Sequence, residues 1–186
     1  MLYWSALLPD SPIGSVALAA SERGLVRISL YGAEGLNRDA YFVPEARHAN
    51  RTFETALPAP SFLSAGLRQV EEYLLGKRRV FDLPLDLDGF TPLACQILEA
   101  CRAIPFGEVR TYKQLAASVG KPGAARFAGN MMARNPLPLI IPCHRAVGSD
   151  RRLHGFGAPG GLVTKAWLLT MEGHQINRLV LCLSHD

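Results

Sequence analysis

Short apolar runs, each cut off by turn-forming residues, open the chain. Leu2 to Leu8 is mostly apolar and stops at Pro9-Asp10-Ser11-Pro12. Ser15 to Ala20 and Leu25 to Leu30 follow, on either side of Ser21-Glu22-Arg23-Gly24. Runs of this length bounded by Pro, Gly, Ser and Asp predict strands. Residues 31–58 have no clear period and predict a long connection. The period then changes: Phe62, Leu63, Leu67, Val70, Tyr73 and Leu74 share one face of a helix over Ser61 to Leu75, closed by Gly76. Val80 to Leu87 (VFDLPLDL) alternates and predicts a further strand, at a sheet edge because Pro84 has no amide hydrogen to give to a ladder. Residues 1–88 therefore sum to a small sheet with one helix, and no set of polar residues there suggests chemistry.

From residue 89 the pattern is helical. Thr91 is a cap residue followed by Pro92 at the first helical position, and Leu93, Ile97, Leu98 and Cys101 make an apolar face. Ile104-Pro105-Phe106-Gly107 breaks that helix. Thr111 caps a short helix over Tyr112 to Val119 that stops at Gly120, and Pro122 opens another running to about Ala133. Two short helices joined by a tight glycine-containing turn predict a helix-turn-helix. Ala124, Ala125 and Ala128 leave little bulk on one face of the second helix, which lets its backbone approach either a neighbouring helix or a DNA groove. The predicted fold is α+β: an N-terminal sheet and helix domain over 1–88, then a mainly helical domain over 89–186 containing the helix-turn-helix.

Charge is also uneven along the chain. Residues 1–99 hold 9 Lys and Arg against 12 Asp and Glu, whereas residues 100–186 hold 11 against 4. A basic second half beside an acidic first half suits a polyanion that meets only one of them. No apolar run reaches the roughly 18 residues a membrane helix needs, and the first ten residues lack the basic and apolar regions of a secretory signal. Four cysteines, Cys95, Cys101, Cys143 and Cys182, follow no repeated spacing, so neither a zinc site nor a disulfide framework is expected. This predicts a reduced intracellular protein with no metal and no cofactor.

One segment carries candidate chemistry: Ile141-Pro142-Cys143-His144-Arg145, behind the apolar Leu137, Leu139 and Ile140. The thiolate is the reactive form of cysteine, and a thiol of ordinary pKa is mostly protonated at neutral pH. A base within reach, directly or through a water, makes it available. Taken alone, Cys143 reads equally well as a buried cysteine of the core.

The ordered set around it resembles the O6-alkylguanine-DNA alkyltransferases, the methylated-DNA–protein-cysteine methyltransferases. It runs from Ile104 through Tyr112, then Ala125-Arg126, Asn135-Pro136 and Ile140 through Arg145. It continues in Gly160-Gly161-Leu162 with Lys165, and in Trp167-Leu168-Leu169 with Glu172-Gly173. The first 90 residues match in layout only. The resemblance implies that Cys143 takes the alkyl group from the guanine oxygen as a stable thioether, once per molecule. It makes His144 the base acting through a water, Glu172 its orienting carboxylate, and Asn135 the residue that orders the turn. Arg126 is then the side chain that fills the gap left by the flipped base. Tyr112 crowds the 3′ phosphate and assists the departing guanine. Ala124, Ala125, Ala128 and Arg134 join them in facing DNA, and Met132, Ala146, Phe156, Gly157 and Ala158 line the base and alkyl pocket. The implied partner is double-stranded DNA bearing O6-alkylguanine, bound by a monomer through the minor groove with little sequence preference, and with cooperative binding open. The implied place is cytoplasmic, on the nucleoid of a bacterium or archaeon, or in a eukaryotic nucleus.

The chain departs from the family pattern in three places. Ala146 replaces the usual valine, Asp150-Arg151-Arg152 replaces an Asp-Gly turn, and the loop Gly155 to Gly161 is about two residues longer. Three other readings compete. A lesion-recognition protein without transfer would have another residue at Cys143. A thiol hydrolase using Cys143 and His144 would need neither Tyr112 nor Arg126. A transcription regulator would leave Cys143, His144 and Glu172 unexplained.

Overall fold

The computed structural model describes residues 4–31 and 60–182. The predicted connection over 31–58 lies, except for Tyr31, outside these residues. By its contacts the chain divides into two compact units, Met1–Leu87 and Asp88–Asp186. The fold is α+β.

In the first unit β1 (Trp4–Leu8), β2 (Ser15–Ala20) and β3 (Leu25–Tyr31) form an antiparallel sheet in that order. Leu8 faces Val16, and Val16 faces Leu30. Helix α1 (Ser61–Leu74) packs on this sheet. Its Leu63, Val70, Tyr73 and Leu74 are buried, as are Val16, Leu18, Leu25 and Ile28 of the strands. The helix comes close at Gly66, where an added Cβ would sit 2.9 Å from Leu18 Cδ1. Gly76 ends the helix with φ of 71°, a conformation that costs glycine little.

The strand predicted over Val80 to Leu87 does not form. Only Leu85 makes a bridge, parallel to Leu25, through Leu25 N–H donating to Pro84 O and Asp86 N–H donating to Leu25 O, both 2.9 Å. The physical reason lies in Pro84 and Gln69. Pro84 interrupts the ladder, while the Gln69 side chain takes both backbone groups of Asp82, at 2.9 and 3.1 Å, which a partner strand would otherwise use.

The second unit holds α2 (Pro92–Arg102), β4 (Arg110–Thr111), α3 (Tyr112–Ser118), α4 (Ala125–Ala133), a 3₁₀ turn (Cys143–Arg145), β5 (Ala146–Val147), α5 (Leu162–Met171), β6 (Ile176–Asn177) and β7 (Val180–Leu181). Thr91 Oγ1 caps α2 by accepting from Ala94 N–H at 3.3 Å. Thr111 and Gln114 form a reciprocal capping box on α3, at 3.1 and 2.7 Å. Helices α2, α3 and α4 pack together, burying Ile97, Leu98, Leu115, Ala116, Ala128 and Met131. A second cluster of Val147, Leu153, Leu169 and Leu181 lies under α5.

The second helix of the helix-turn-helix begins at Ala125, three residues later than the sequence predicts. Pro122 and Gly123 instead form a turn closed by Ala124 N–H donating to Lys121 O at 2.8 Å. Short parallel pairing joins β4 to β5, with Arg110 opposite Ala146. That pairing brings the start of α3 beside the chain leaving the 3₁₀ turn. Among the described residues no helix is long and apolar enough to cross a membrane.

Candidate active site

The 3₁₀ turn places Cys143, His144 and Arg145 in one buried step of chain. The segment leading into it is fixed by Asn135. Its Nδ2 donates to Ile141 O at 2.7 Å and its Oδ1 accepts from Leu137 N–H at 3.0 Å. One amide side chain thus closes the loop from 135 to 141, in which Leu139 takes a left-handed φ of 74°. A non-glycine residue there costs energy, and a closed hydrogen-bonded loop with a buried Leu139 offsets it.

Cys143 is 6% exposed. Burial pushes its thiol up from the ordinary value. A hydrogen bond with the Asn135 side chain, the charge of Lys165 and the amides of Cys143 and His144 pull it back. The net shift is upward, so the resting group is a thiol and deprotonation needs a base. His144 is fully buried beside it, and its Nε2 lies 3.0 Å from Glu172 Oε1. Burial pushes His144 down and Glu172 pulls it up, with the net shift downward, so the imidazole is neutral at rest. With Glu172 ionised, Nε2 carries the hydrogen it donates, which leaves Nδ1 as the accepting nitrogen. Burial alone would push the Glu172 carboxyl up. Hydrogen bonds from His144 and Arg145 outweigh it and hold the carboxyl at about 2.

Tyr112 opens α3 and is half-buried. Burial first, then negative charge developing on the nearby Cys143 and Cys101 sulfurs, push its phenol up to about 12, so it stays protonated as a hydrogen-bond donor. Its ring passes close to α4 at Gly129, where an added Cβ would meet Tyr112 Cδ1 at 3.9 Å. Phe156 meets His144 edge-on, with ring centroids 6.4 Å apart. Cys143, His144, Glu172, Asn135, Tyr112 and Phe156 are thus gathered in one place.

The remaining predicted residues divide. Arg126 and Arg134 are exposed on α4 and at its end, and Ala124 and Ala125 are partly exposed at its start. Ala128 is not on that surface. It is 0% exposed, because α4 turns it into the core formed with α2 and α3. Met132 is buried at 7% and Ala146 at 0%, the latter sealed into β5. Gly157 is exposed and Ala158 half-buried.

Two residues of the site carried no role in the sequence. Lys165 is 0% exposed, and its Nζ donates to Ala146 O at 2.7 Å and to His154 O at 3.1 Å. Burial pushes its ammonium down to about 8, and it remains a cation that favours the Cys143 thiolate. The sequence contained the signal: Leu162, Lys165, Leu168 and Leu169 fall on one helical face, which buries the lysine with the leucines. Arg145, adjacent to the candidate base, is the other.

Comparison with known proteins covers nearly the whole chain. The family described as 6-O-methylguanine DNA methyltransferase, DNA binding domain, matches residues 92–174. That described as 6-O-methylguanine DNA methyltransferase, ribonuclease-like domain, matches residues 2–87. A protein of Methanosarcina barkeri named methylated-DNA–protein-cysteine methyltransferase is 37% identical over 168 residues, 90% of this chain and 96% of that protein. A human protein of the same name is 35% identical over 176 residues, 91% of this chain and 80% of that protein. The crystal structure of Mycobacterium tuberculosis OGT in complex with DNA superposes with a TM-score of 0.70 at 32% identity, covering 92% of each chain.

Proposed function

Because the chain belongs to the 6-O-methylguanine DNA methyltransferase family, we propose that it repairs DNA by moving the alkyl group of O6-alkylguanine onto its own Cys143. The observation that carries the assignment of the acceptor is the buried Cys143 next to His144, whose ring meets the buried Glu172 carboxylate, in a turn that the Asn135 side chain closes.

The reaction uses these groups in order. His144 takes the thiol proton at Nδ1, directly or through one water, while Glu172 holds Nε2 and stabilises the imidazolium that forms. The thiolate attacks the first carbon of the alkyl group from the side opposite the guanine oxygen. The carbon–sulfur bond forms as the carbon–oxygen bond breaks, and the oxygen keeps that electron pair. The leaving guanine gains one proton in place of the one the thiol lost, so the products are guanine and a Cys143 thioether. Tyr112, held protonated, donates a hydrogen bond toward the departing base. Nothing in the set activates a water against the thioether carbon, so each molecule reacts once. With lesion duplex in excess, alkyl transfer is expected to stop at one group per protein. Continued release of the alkyl group as an alcohol would instead favour a thiol hydrolase.

The base must leave the stack before it can reach a buried thiol. Arg126, exposed at the second position of α4, supports a wedge that fills the vacated space. Ala124 and Ala125 let that end of the helix approach the minor groove, and Arg134 adds a phosphate contact. Binding is by a monomer, salt-sensitive and nearly blind to sequence. If the wedge offsets about 2 kcal/mol of the unstacking cost, Arg126→Ala slows duplex repair about thirtyfold. It leaves the reaction with an isolated alkylguanine base unchanged. Single-turnover rates on both substrates check this, and equal losses would reject the wedge.

A further inference from the structure

We propose that Arg145 is a positioning residue of the transfer reaction: its guanidinium balances the Glu172 carboxylate, so that His144 stays neutral and able to take the Cys143 proton. This rests on the Cys143–His144 assignment above and adds to it the group that sets the charge of the base.

Arg145 is 5% exposed. Its Nε lies 2.9 Å from Glu172 Oε2 and 3.1 Å from Oε1, and its Nη2 lies 2.7 Å from Oε1. The planar fork therefore engages both carboxylate oxygens, an arrangement lysine does not reproduce. The same guanidinium donates from Nη1 to Ile104 O at 2.6 Å and lies 5.8 Å from the Phe106 ring centroid. Gly107 N–H also reaches Glu172 Oε2, at 3.3 Å. Glu172 is thus held by donors from the α2–β4 loop and the 3₁₀ turn at once, and its Oε1 meets His144.

A carboxylate facing a buried imidazole by itself favours the imidazolium, and an imidazolium cannot accept a proton. The charges around His144 come from every packed element. Glu172 and Lys165 belong to α5 and its end, Arg145 and Cys143 to its own turn, and His174 follows α5 beside the Glu172–Arg145 pair. Cys101 of α2 and Tyr112 of α3 stay neutral, both groups being pushed up by burial. Removing the Arg145 cation therefore leaves Glu172 balanced only from a distance. Every proton in the set, on the imidazole and on the thiol, is then held more tightly.

The test is the rate of Cys143 alkylation by iodoacetamide across pH, read by peptide mass on the full chain. Arg145→Gln keeps polar contacts but no charge and is expected to move the acid limb of the profile up by about one pH unit. Glu172→Gln moves it down. The double variant restores the net charge of the pair and returns the limb close to the parent position. A limb for Arg145→Gln that coincides with the parent would overturn the proposal. If Arg145→Gln does not fold, the double variant decides against Glu172→Gln alone. Coincidence of those two profiles equally overturns it, because the Arg145 charge would then have no effect on the base. A parent protein that shows this limb yet takes no methyl group from lesion DNA would refute the repair reading and leave the role of Arg145 standing.

Discussion

Cys143→Ala is expected to bind O6-methylguanine duplex and transfer nothing. The side chain is 6% exposed in a turn fixed by Asn135 and the backbone. Deleting one sulfur there leaves a small cavity, which costs about 1 kcal/mol and does not disturb the exposed Arg126. The chemistry has no substitute. His144 Nε2 is committed to Glu172, and Lys165 is a buried cation bonded to two carbonyl oxygens. Cys143→Ser should be equally silent, because a hydroxyl in this desolvated site is far harder to ionise than a thiol. A filter-binding isotherm beside a transfer assay with isotopically labelled methyl checks both halves. Transfer by Cys143→Ala would move the acceptor elsewhere. Loss of lesion binding would mean that the thiol also holds the fold or the base.

Glu172→Gln should weaken both the protein and the reaction. Removing the carboxylate leaves the Arg145 guanidinium, whose side chain is 6% exposed, without its partner charge. Breaking a buried pair from one side costs about 3–5 kcal/mol, which for a chain of this size lowers Tm by about 10 °C. Transfer should slow by about a hundredfold or more, since the base loses the group that orients it and stabilises its charged form. The pH dependence of stability follows from the same carboxyl. Its pKa in the folded protein is about 2, against about 4.3 unfolded, so the group binds fewer protons when folded. The stability it contributes is present above the unfolded value and is lost as pH falls through the folded one. The parent should therefore lose stability steeply between about pH 4.5 and 2, and Glu172→Gln should show a shallower fall. Thermal melts across that range read both effects, and parallel curves would contradict the ion-pair account.

Much of this architecture is legible where local chemistry decides it. Thr91-Pro92, Thr111 and Gly76 mark helix ends through hydrogen bonds and backbone preferences within four residues, and the helices begin and end there within a residue. The sequence goes astray where a distant group intervenes. Val80 to Leu87 has the alternation of a strand, but Gln69, from α1, takes the backbone of Asp82. Pro122 is a good first helical residue, yet the turn through Gly123 closes on Lys121 before the helix begins. Ala128 looks like groove surface because alanine is small, and the packing of α2 and α3 claims it instead. The candidate site residues are readable as an ordered motif, whereas their charge balance is not. Arg145 becomes a partner of Glu172 only when α5 brings residue 172 to within 2.7 Å of a side chain 27 positions earlier.

Irreversible transfer of the alkyl group to Cys143 is read directly from the intact mass of the protein. The protein is incubated with an oligonucleotide carrying one O6-methylguanine, weighed, and then digested and mapped. A gain of roughly 14 mass units, one methyl replacing one hydrogen, is expected in a single step and located on Cys143. An unchanged mass on a protein that binds the lesion tightly, or a methyl group found on any other residue, would contradict it.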